Sequence, residues 1–283
     1  MAVSLNRRDF LLASAAGIAA ASISRAATAA DGNDPYLGLK MGIQSYSLRG
    51  FKKAEEALEL TKKLGLKYWE SFPGHIPMST VPKHIEAQKG LLAKEGITCF
   101  SYGVVGFDGN ENAAREIFEF AKAMGIKSLS ADPKPDAATF DLLDKLVAEY
   151  DVAIAIHNHG PKHRYDKISD VEKVVKDRHP KIGACVDTGH YLRSNENPVE
   201  AVQRLNKRVF GVHLKDVKTL PNGEKQFKIA GEGDLDVTGL LKALKAMKYE
   251  YCVAIEYEEN ESNPMPDIEA CLKHVRECAL KLV

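Results

Sequence analysis

Short apolar runs that favour β-strands alternate with amphipathic segments from residue 40 to the end of the 283-residue chain. The strand-like runs cover residues 40–47, 68–72, 98–104, 127–131, 152–157, 182–187, 209–215 and 251–257. Segments between them carry charged residues on one face and Ala, Leu, Val or Ile on the other, as helices do. These predicted helices include residues 52–64, 112–124, 137–150, 170–178, 198–206 and 238–247, and a last one, 267–282, follows the eighth run.

This alternation limits the architecture to parallel sheets. Eight strand–helix units in about 245 residues predict a sheet that closes on itself, a single (β/α)8 TIM barrel occupying residues 35–283. The alternative is an open doubly wound sheet, which would scatter the polar strand ends on two sides of a crevice. Residues 218–228 interrupt the rhythm and contain the turn signal Pro221-Asn222-Gly223, so we expect a hairpin there, over the mouth of the barrel.

Residues 1–29 differ in composition from the rest of the chain. They carry three arginines, two of them paired as Arg7-Arg8, and one acidic residue before a weakly apolar, Ala-rich run and a small-residue exit at Ala27-Thr28-Ala29. These three parts are typical of a signal peptide, and the arginine pair resembles a twin-arginine export signal. We therefore expect a periplasmic or otherwise exported protein. An amphipathic first helix of the domain is the alternative.

The charge balance bears on the partners. The chain has 39 Lys+Arg and 39 Asp+Glu, and residues 1–29 hold three of the basic and one of the acidic residues, which leaves 36 and 38. A near-neutral protein releases few counterions from a phosphate backbone, so nucleic acid is not an expected partner. No later apolar run reaches the length of a bilayer span, so no membrane partner is expected for the mature form. Assembly into a homo-oligomer stays open.

The cysteines do not form an evident disulfide framework. Their number is odd, no CxxC occurs, and the last two are seven residues apart on one predicted helix, about 10 Å by helical rise and beyond disulfide reach. We expect buried free thiols, with a bridge within the first three as the alternative. In chain order the five are Cys99, Cys185, Cys252, Cys271 and Cys278.

Five of the predicted strands carry His, Asp, Glu or Lys at the same end. These residues are Glu70, His157, His159, Asp187, His190, His213, Lys215 and Glu256. The carboxyl ends of the strands of such a barrel surround one mouth, where its chemistry occurs. Because side chains alternate along a strand, His157 and His159 share one face, as do His213 and Lys215, and their apolar neighbours face the helices.

An imidazole and carboxylate set of this kind suits a divalent ion such as Mn²⁺, Co²⁺, Zn²⁺ or Mg²⁺, and the lack of cysteine argues against a closed structural zinc site. Taken singly, His213 could be a rim residue, Asp187 a loop cap and Lys215 a surface residue. A purely structural role is harder to assign to Glu256, because burying an unpaired carboxylate costs several kcal/mol. The convergence favours a site. Four histidines in predicted helices or polar loops are assigned structural roles: His84, His163, His179 and His274.

From about Leu39 to its end the chain resembles the xylose isomerase-like TIM barrel superfamily, the group of sugar phosphate isomerases and epimerases. The motifs that carry the resemblance are Val186-Asp187-Thr188-Gly189-His190, His213-Leu214-Lys215-Asp216, Gly231-Glu232-Gly233-Asp234-Leu235-Asp236 and Ile255-Glu256-Tyr257. As a set they are fairly specific for the superfamily but do not name a substrate.

The resemblance implies a metal site with one departure. In the ketose 3-epimerases of the superfamily, Glu, Asp, His and Glu from strands five to eight hold one divalent ion. Asp187, His213 and Glu256 take the last three places, whereas His157 stands where the first glutamate would be. This replacement removes the usual pair of glutamate bases and leaves Glu256, Glu70, His159, His190 or Lys215 to move protons.

The resemblance also implies an enzyme with a small-molecule sugar as its partner. The expected activity is that of a metal-dependent isomerase or epimerase that abstracts a proton next to a carbonyl of a non-phosphorylated sugar or keto-sugar. A metal-dependent lyase that cleaves 3-keto-glycosides by β-elimination is the second reading, and a non-catalytic periplasmic sugar-binding barrel the third. Endonuclease relatives of the superfamily use more ligands, and Asp187, His190 and His213 match part of that set, but the near-neutral mature chain and the single tryptophan argue against a DNA-binding protein.

Overall fold

The computed structural model describes residues 34–283, of which 35–283 form one compact unit, and the predicted signal peptide lies outside the described residues. The strands are β1 (Lys40–Gln44), β2 (Tyr68–Ser71), β3 (Thr98–Phe107), β4 (Ser128–Pro133), β5 (Ala153–His157), β6 (Ile182–Asp187), β7 (Val209–Leu214), β8 (Asp216–Thr219), β9 (Lys225–Lys228) and β10 (Cys252–Ile255). Eight of them close in the order β1-β10-β7-β6-β5-β4-β3-β2, with parallel neighbours. The predicted (β/α)8 barrel is confirmed, and the open sheet is excluded.

Helices separate the barrel strands along the chain. They are α1 (Ala54–Lys63), α2 (Pro82–Glu95), α3 (Glu111–Met124), α4 (Ala137–Tyr150), α5 (Ile168–Val175), α6 (Thr188–Arg193), α7 (Pro198–Leu205), α8 (Val237–Ala246) and α9 (Met265–Leu280). Helix α2 was not among the predicted helices. Only Ile85 and Leu92 of its fourteen residues are buried, so its apolar stripe is too narrow to give a clear helical period.

Strand β1 is shorter than predicted, because side chains take over backbone hydrogen bonds near its end. The chain leaves the strand at Gln44 and forms a 3-10 turn at Ser45–Leu48. The Gln44 side chain accepts a hydrogen bond from the Tyr46 N–H, and the Ser47 hydroxyl accepts one from the Tyr257 N–H. Such local side-chain bonds compete with a strand ladder.

The predicted alternation of side chains is present in β5. Ile154 and Ile156 belong to the large apolar core shared with the helices. Ala153 and Ala155 belong instead to a separate cluster with Cys185 and Phe210, shared across β5, β6 and β7. Small side chains therefore fill the barrel interior along β5 up to His157, which continues the same face of the strand.

The predicted hairpin is formed by β8 and β9, which pair in antiparallel fashion. Its base is held by the Asp216 carboxylate, which accepts hydrogen bonds from four backbone N–H groups. The donors belong to Val217, Gly231, Gly233 and Leu235 at 2.8–3.0 Å. The glycine-rich segment therefore wraps around the Asp216 side chain. A Cβ on Gly233 would lie 2.1 Å from Asp216 Oδ1, so only glycine fits there.

All five cysteines are buried and unbridged. Among residues 34–283, no helix combines the length and the apolar character needed to cross a bilayer.

Candidate metal centre

Four predicted ligands meet at the carboxyl ends of the barrel strands. His157 and Asp187 are the last residues of β5 and β6, His213 lies near the end of β7, and Glu256 directly follows β10. All four are buried, and one possible ligand atom from each lies within 4.8 Å of the others. The parallel strands bring together residues that are up to 99 positions apart in sequence.

One oxygen of each carboxylate in this group lacks a well-directed hydrogen bond. Asp187 Oδ1 accepts from the His190 N–H at 2.7 Å, but Asp187 Oδ2 and Glu256 Oε2 are buried without such a donor. Asp187 Oδ2 lies 3.4 Å from His157 Nε2, and Glu256 Oε2 lies 3.1 Å from His213 Nδ1. Buried oxygens of this kind are costly unless a cation compensates them. The donor set fits a divalent ion that takes nitrogen and oxygen ligands.

Glu70 orients one of the imidazoles from behind. Its Oε1 atom lies 2.9 Å from His213 Nε2, on the ring edge opposite Nδ1. With the ring proton assigned to Nε2, the lone pair of Nδ1 is directed at the other ligands, an arrangement common around metal-bound histidines. Gln44 and Ser101 donate to the same carboxylate at 2.9 and 2.7 Å. Burial opposes the ionised form, but His213 and the hydroxyl groups of Ser101 and Ser130 hold the pKa of Glu70 below its usual value.

Lys215 brings a positive charge to the group. Its Nζ atom lies 3.0 Å from Asp187 Oδ2 and 2.8 Å from Glu256 Oε2, and it also contacts Glu258 Oε1. Burial would lower the pKa of Lys215, but the three carboxylates raise it above the usual lysine value. Burial likewise opposes ionisation of Glu256, yet Lys215 and His213 hold its pKa well below the usual value. These residues therefore carry their charges at neutral pH.

Two further histidines lie beside His157. The rings of His159 and His190 are stacked, with their centroids 5.5 Å apart, and each ring is within 5.7 Å of the His157 ring. Burial, reinforced for His159 by His157, lowers the pKa of both rings to about 3. Both are therefore neutral at pH 7. The Arg193 guanidinium donates to His190 Nδ1 at 3.1 Å, which assigns the ring proton of His190 to Nε2.

A cavity of about 360 Å³ opens onto the ligands. The apolar part of its lining consists of Tyr46, Phe72, Pro73, Gly103 and Val104, and the polar part of Gln44, His157, His159, His190, Lys215, Glu256 and Glu258. Phe227 of the hairpin places its ring 5.4 Å from Lys215 Nζ and 6.1 Å from the His190 ring. The hairpin therefore reaches the rim of this cavity, as predicted.

Five of the eight predicted site residues line this cavity, whereas Glu70, Asp187 and His213 lie outside its lining. Glu70 is 1% exposed and contacts His213 on the side of the ring that faces away from the other ligands. Sequence reasoning missed Glu258, although it lies two positions after Glu256 and the alternation of side chains indicates a shared face. No sequence pattern predicted that Phe227 lies near the cavity, because its position depends on how the hairpin folds back over the barrel.

His163 is the one histidine assigned a structural role that reaches this region. Its ring centroid lies 4.3 Å from that of His159, and its Nε2 atom is 3.5 Å from Asp132 Oδ2. It extends the row of imidazoles away from the ligands.

Comparison with known proteins supports the architecture. The profile of a family described as "Xylose isomerase-like TIM barrel" matches residues 58–278. An inosose dehydratase of Clostridium botulinum (strain Eklund 17B) is 30% identical over 140 residues, which cover 44% of this chain and 47% of that protein. The match thus spans about half the length of this curated relative.

Two solved structures share the fold. The 3-keto-D-glucoside 4-epimerase YcjR from E. coli has a TM-score of 0.67 at 17% identity, over 85% of this chain and 100% of that one. The IolI protein with a bound zinc atom has a TM-score of 0.68 at 18% identity, over 87% and 99%. At these identities the likeness concerns the fold alone.

Proposed function

The chain belongs to the xylose isomerase-like TIM barrel family, and on that premise we propose that it is a divalent-metal-dependent sugar isomerase or epimerase. It removes the proton next to a carbonyl group of a non-phosphorylated sugar or keto-sugar. Return of the proton to the neighbouring carbon isomerises the sugar, and return on the opposite face epimerises it. The family name does not distinguish isomerisation from epimerisation, so the argument for either reaction depends on the residues of the site.

The observation that carries the proposal is the buried cluster of two imidazoles and two carboxylates, in which one ligand atom from each residue lies within 4.8 Å of the others. His157, Asp187, His213 and Glu256 would hold the ion. A divalent ion there would act as a Lewis acid that makes a C–H next to a carbonyl more acidic. The IolI protein, which shares this fold, has a bound zinc atom, and this supports a metal-binding role for the chain.

Glu256 is the proposed proton acceptor, because its carboxylate lines the cavity beside the position that the ion would occupy. The neutral ring of His190 offers an Nε2–H that can bind a sugar oxygen, since its Nδ1 accepts from Arg193. Lys215 stays protonated and donates a hydrogen bond or a proton. Glu70 positions His213 and does not touch the substrate.

A second activity, β-elimination from a 3-keto-glycoside or a related keto-sugar, is favoured by one feature of the site. Lys215 and Glu256 both line the cavity, so a proton donor and a base face the same bound molecule. Elimination needs both, one for the C–H and one for the leaving group. An inosose dehydratase is among the relatives that match part of the chain.

Incubation of the metal-loaded protein with ketoses and with 3-keto-glycosides in D₂O tests the proposal. We expect deuterium at the carbon next to the carbonyl, detected by NMR. Deuterium in an intact sugar supports isomerisation or epimerisation, and release of the aglycone supports elimination. Asp187→Ala should remove both the bound metal and the exchange, because it deletes a ligand.

The matched control is His84→Gln, which removes an imidazole on α2 whose Nε2 bonds to the Pro77 carbonyl at 2.9 Å. This variant should retain the metal and the exchange. A purified wild-type protein with less than about half an equivalent of divalent metal, together with an unchanged Asp187→Ala variant, would show that the metal site is wrong. Bound metal without exchange or product would favour a sugar-binding barrel.

We also propose that residues 1–29 direct export to the periplasm. The Arg7-Arg8 pair before an Ala-rich apolar run supports this location. Fractionation of cells that express the full chain and a variant with Arg7→Lys and Arg8→Lys is the test. Retention of the variant in the cytoplasm is expected, and equal export of both forms would contradict a twin-arginine route.

A further inference from the structure

Lys215 and a bound metal ion would need the same atoms. Lys215 Nζ lies 3.0 Å from Asp187 Oδ2 and 2.8 Å from Glu256 Oε2. These are the two carboxylate oxygens that lack a well-directed hydrogen bond. The Lys215 side chain is 3% exposed, so solvent screens its charge little. Two cations at one pair of oxygens repel each other strongly in such surroundings.

The fold builds this position for a lysine. Thr188 Oγ1 accepts from the Lys215 N–H at 2.9 Å and donates to the Lys215 carbonyl at 2.6 Å, which fixes the backbone. A Cβ on Gly189 would lie 2.7 Å from Lys215 Cγ, so the glycine leaves room for the aliphatic part of the side chain. The Phe227 ring lies 5.4 Å from Nζ. The ammonium group is therefore held near the ligands by several independent contacts.

Glu258 offers Lys215 a second partner on the side of the cavity. Its Oε1 atom contacts Lys215 Nζ, and its side chain is 27% exposed, whereas those of Asp187 and Glu256 are 0% and 9% exposed. Glu258 is not one of the four clustered ligands. Lys215 can therefore keep an ion pair with Glu258 without using a ligand oxygen.

We propose that Lys215 is a tethered cation that competes with the divalent ion for Asp187 and Glu256, and that Glu258 holds Lys215 when the metal binds. The inference rests on the metal site of the proposed function. Lys215 compensates the two buried carboxylates in the absence of the ion, which keeps them from repelling each other. Competition with Lys215 lowers the affinity for the metal, and the ion pair between Lys215 and Glu258 limits this loss of affinity.

This arrangement makes opposite predictions for two neighbouring residues. Removal of the lysine charge should strengthen metal binding, because the competitor is gone. Removal of the Glu258 charge should weaken metal binding, because Lys215 then has only the ligand oxygens as partners. Independent charge effects at the two residues would simply add in a double variant, whereas competition through Lys215 makes the effect of Glu258→Gln depend on the lysine.

Calorimetric titration with Zn²⁺ and with Mn²⁺ tests the inference on the folded full barrel, without an activity assay. The variants are Lys215→Met, Glu258→Gln and the two together, and circular dichroism confirms folding. We expect Lys215→Met to bind about tenfold more tightly, or about 1.4 kcal/mol, and Glu258→Gln to bind more weakly. In the double variant the effect of Glu258→Gln should largely vanish, because it acts through Lys215.

The matched control is Lys218→Met, which removes an exposed lysine of the hairpin that pairs with Asp234 at 2.7 Å. Its metal affinity should equal that of the wild type. Equal or weaker binding by Lys215→Met, with measurable binding by the wild type, overturns the inference and leaves the proposed metal site standing. Should Lys215→Met fail to fold, Glu258→Gln decides alone, and an unchanged affinity overturns the inference. Absence of binding in every form refutes the proposed metal site together with the inference.

Discussion

Replacement of Glu70 by glutamine should weaken metal binding although Glu70 is not a ligand. The Glu70 carboxylate holds His213 through a 2.9 Å contact with Nε2. Its negative charge therefore makes the lone pair of His213 Nδ1 a stronger metal ligand. In Glu70→Gln the amide oxygen can take the place of Oε1, which faces His213 and Gln44, and the amide nitrogen can face the Ser101 hydroxyl. The geometry is kept and the charge is lost. Loss of such an outer partner typically weakens metal binding by about 10- to 100-fold, or about 1.4 to 2.8 kcal/mol.

Alanine would be a poorer test because it removes the acceptor altogether. Glu70→Ala leaves three buried donors unpaired, on His213, Gln44 and Ser101. Each unpaired buried donor costs about 1 to 3 kcal/mol, so the sum is about 3 to 9 kcal/mol. This is a large part of the total stability of about 5 to 15 kcal/mol of a typical protein. We therefore expect Glu70→Ala to fold poorly and Glu70→Gln to stay folded.

The assay is competition for Zn²⁺ between the protein and a chromogenic chelator, with thermal unfolding measured in parallel. The control is Glu149→Gln, which neutralises a carboxylate paired with Arg115 at the surface and 45% exposed. It should leave the zinc affinity unchanged. A Glu70→Gln variant that is folded and binds zinc within twofold of the wild type would refute the assignment of Glu70 as the residue that orients His213.

Three further results are expected from the packing. Gly189→Ala puts a methyl group 2.7 Å from Lys215 Cγ and should cost about 1 to 3 kcal/mol in urea unfolding; an unchanged midpoint would contradict the close packing. Asp216→Ala leaves four backbone N–H groups without their acceptor and should cost about 3 kcal/mol or more by the same measurement. Burial raises the pKa of Cys99 to about 12 and that of Cys271 to about 11, so both thiols stay protonated at pH 8 and should react with Ellman's reagent only after unfolding. Rapid labelling of the native protein would show that they are exposed.

The sequence was sufficient to predict the barrel and the four clustered residues. Each barrel strand is marked by an apolar run, and the polar residue that ends the run marks the mouth. His157 illustrates the reasoning: it continues the small-residue face of Ala153 and Ala155, and no other orientation of β5 buries Ile154 and Ile156 against the helices. Whether these residues hold a metal stays a prediction.

The depth at which a side chain lies along the barrel axis could not be predicted in the same way. Alternation places Glu70 on the inner face of β2, but it does not say whether the side chain reaches the cavity or lies beneath another residue. That depends on the register of β2 against its neighbours, where Glu70 pairs with Ser101 across an irregularity in the ladder. Register between strands is set by packing over the whole barrel. The sequence therefore identified Glu70 as a site residue and as one of five groups that could move protons, and its buried contact with His213 favours a positioning role.

The way the hairpin is attached makes changes in its sequence largely independent of the barrel strands. A single carboxylate, that of Asp216, fixes both the start of the hairpin and the segment that returns from it, so the residues between these points bear little on the register of β7 and β10. The turn at Pro221-Asn222-Gly223, with Gly223 at a φ of +86°, is exposed and makes no contribution to the core. Hairpins of other lengths and sequences could be grafted between Val217 and Ile229 to reshape the rim around Phe227. The hairpin thus forms a part of the barrel mouth whose length and sequence can change without altering the strands that carry the four clustered residues.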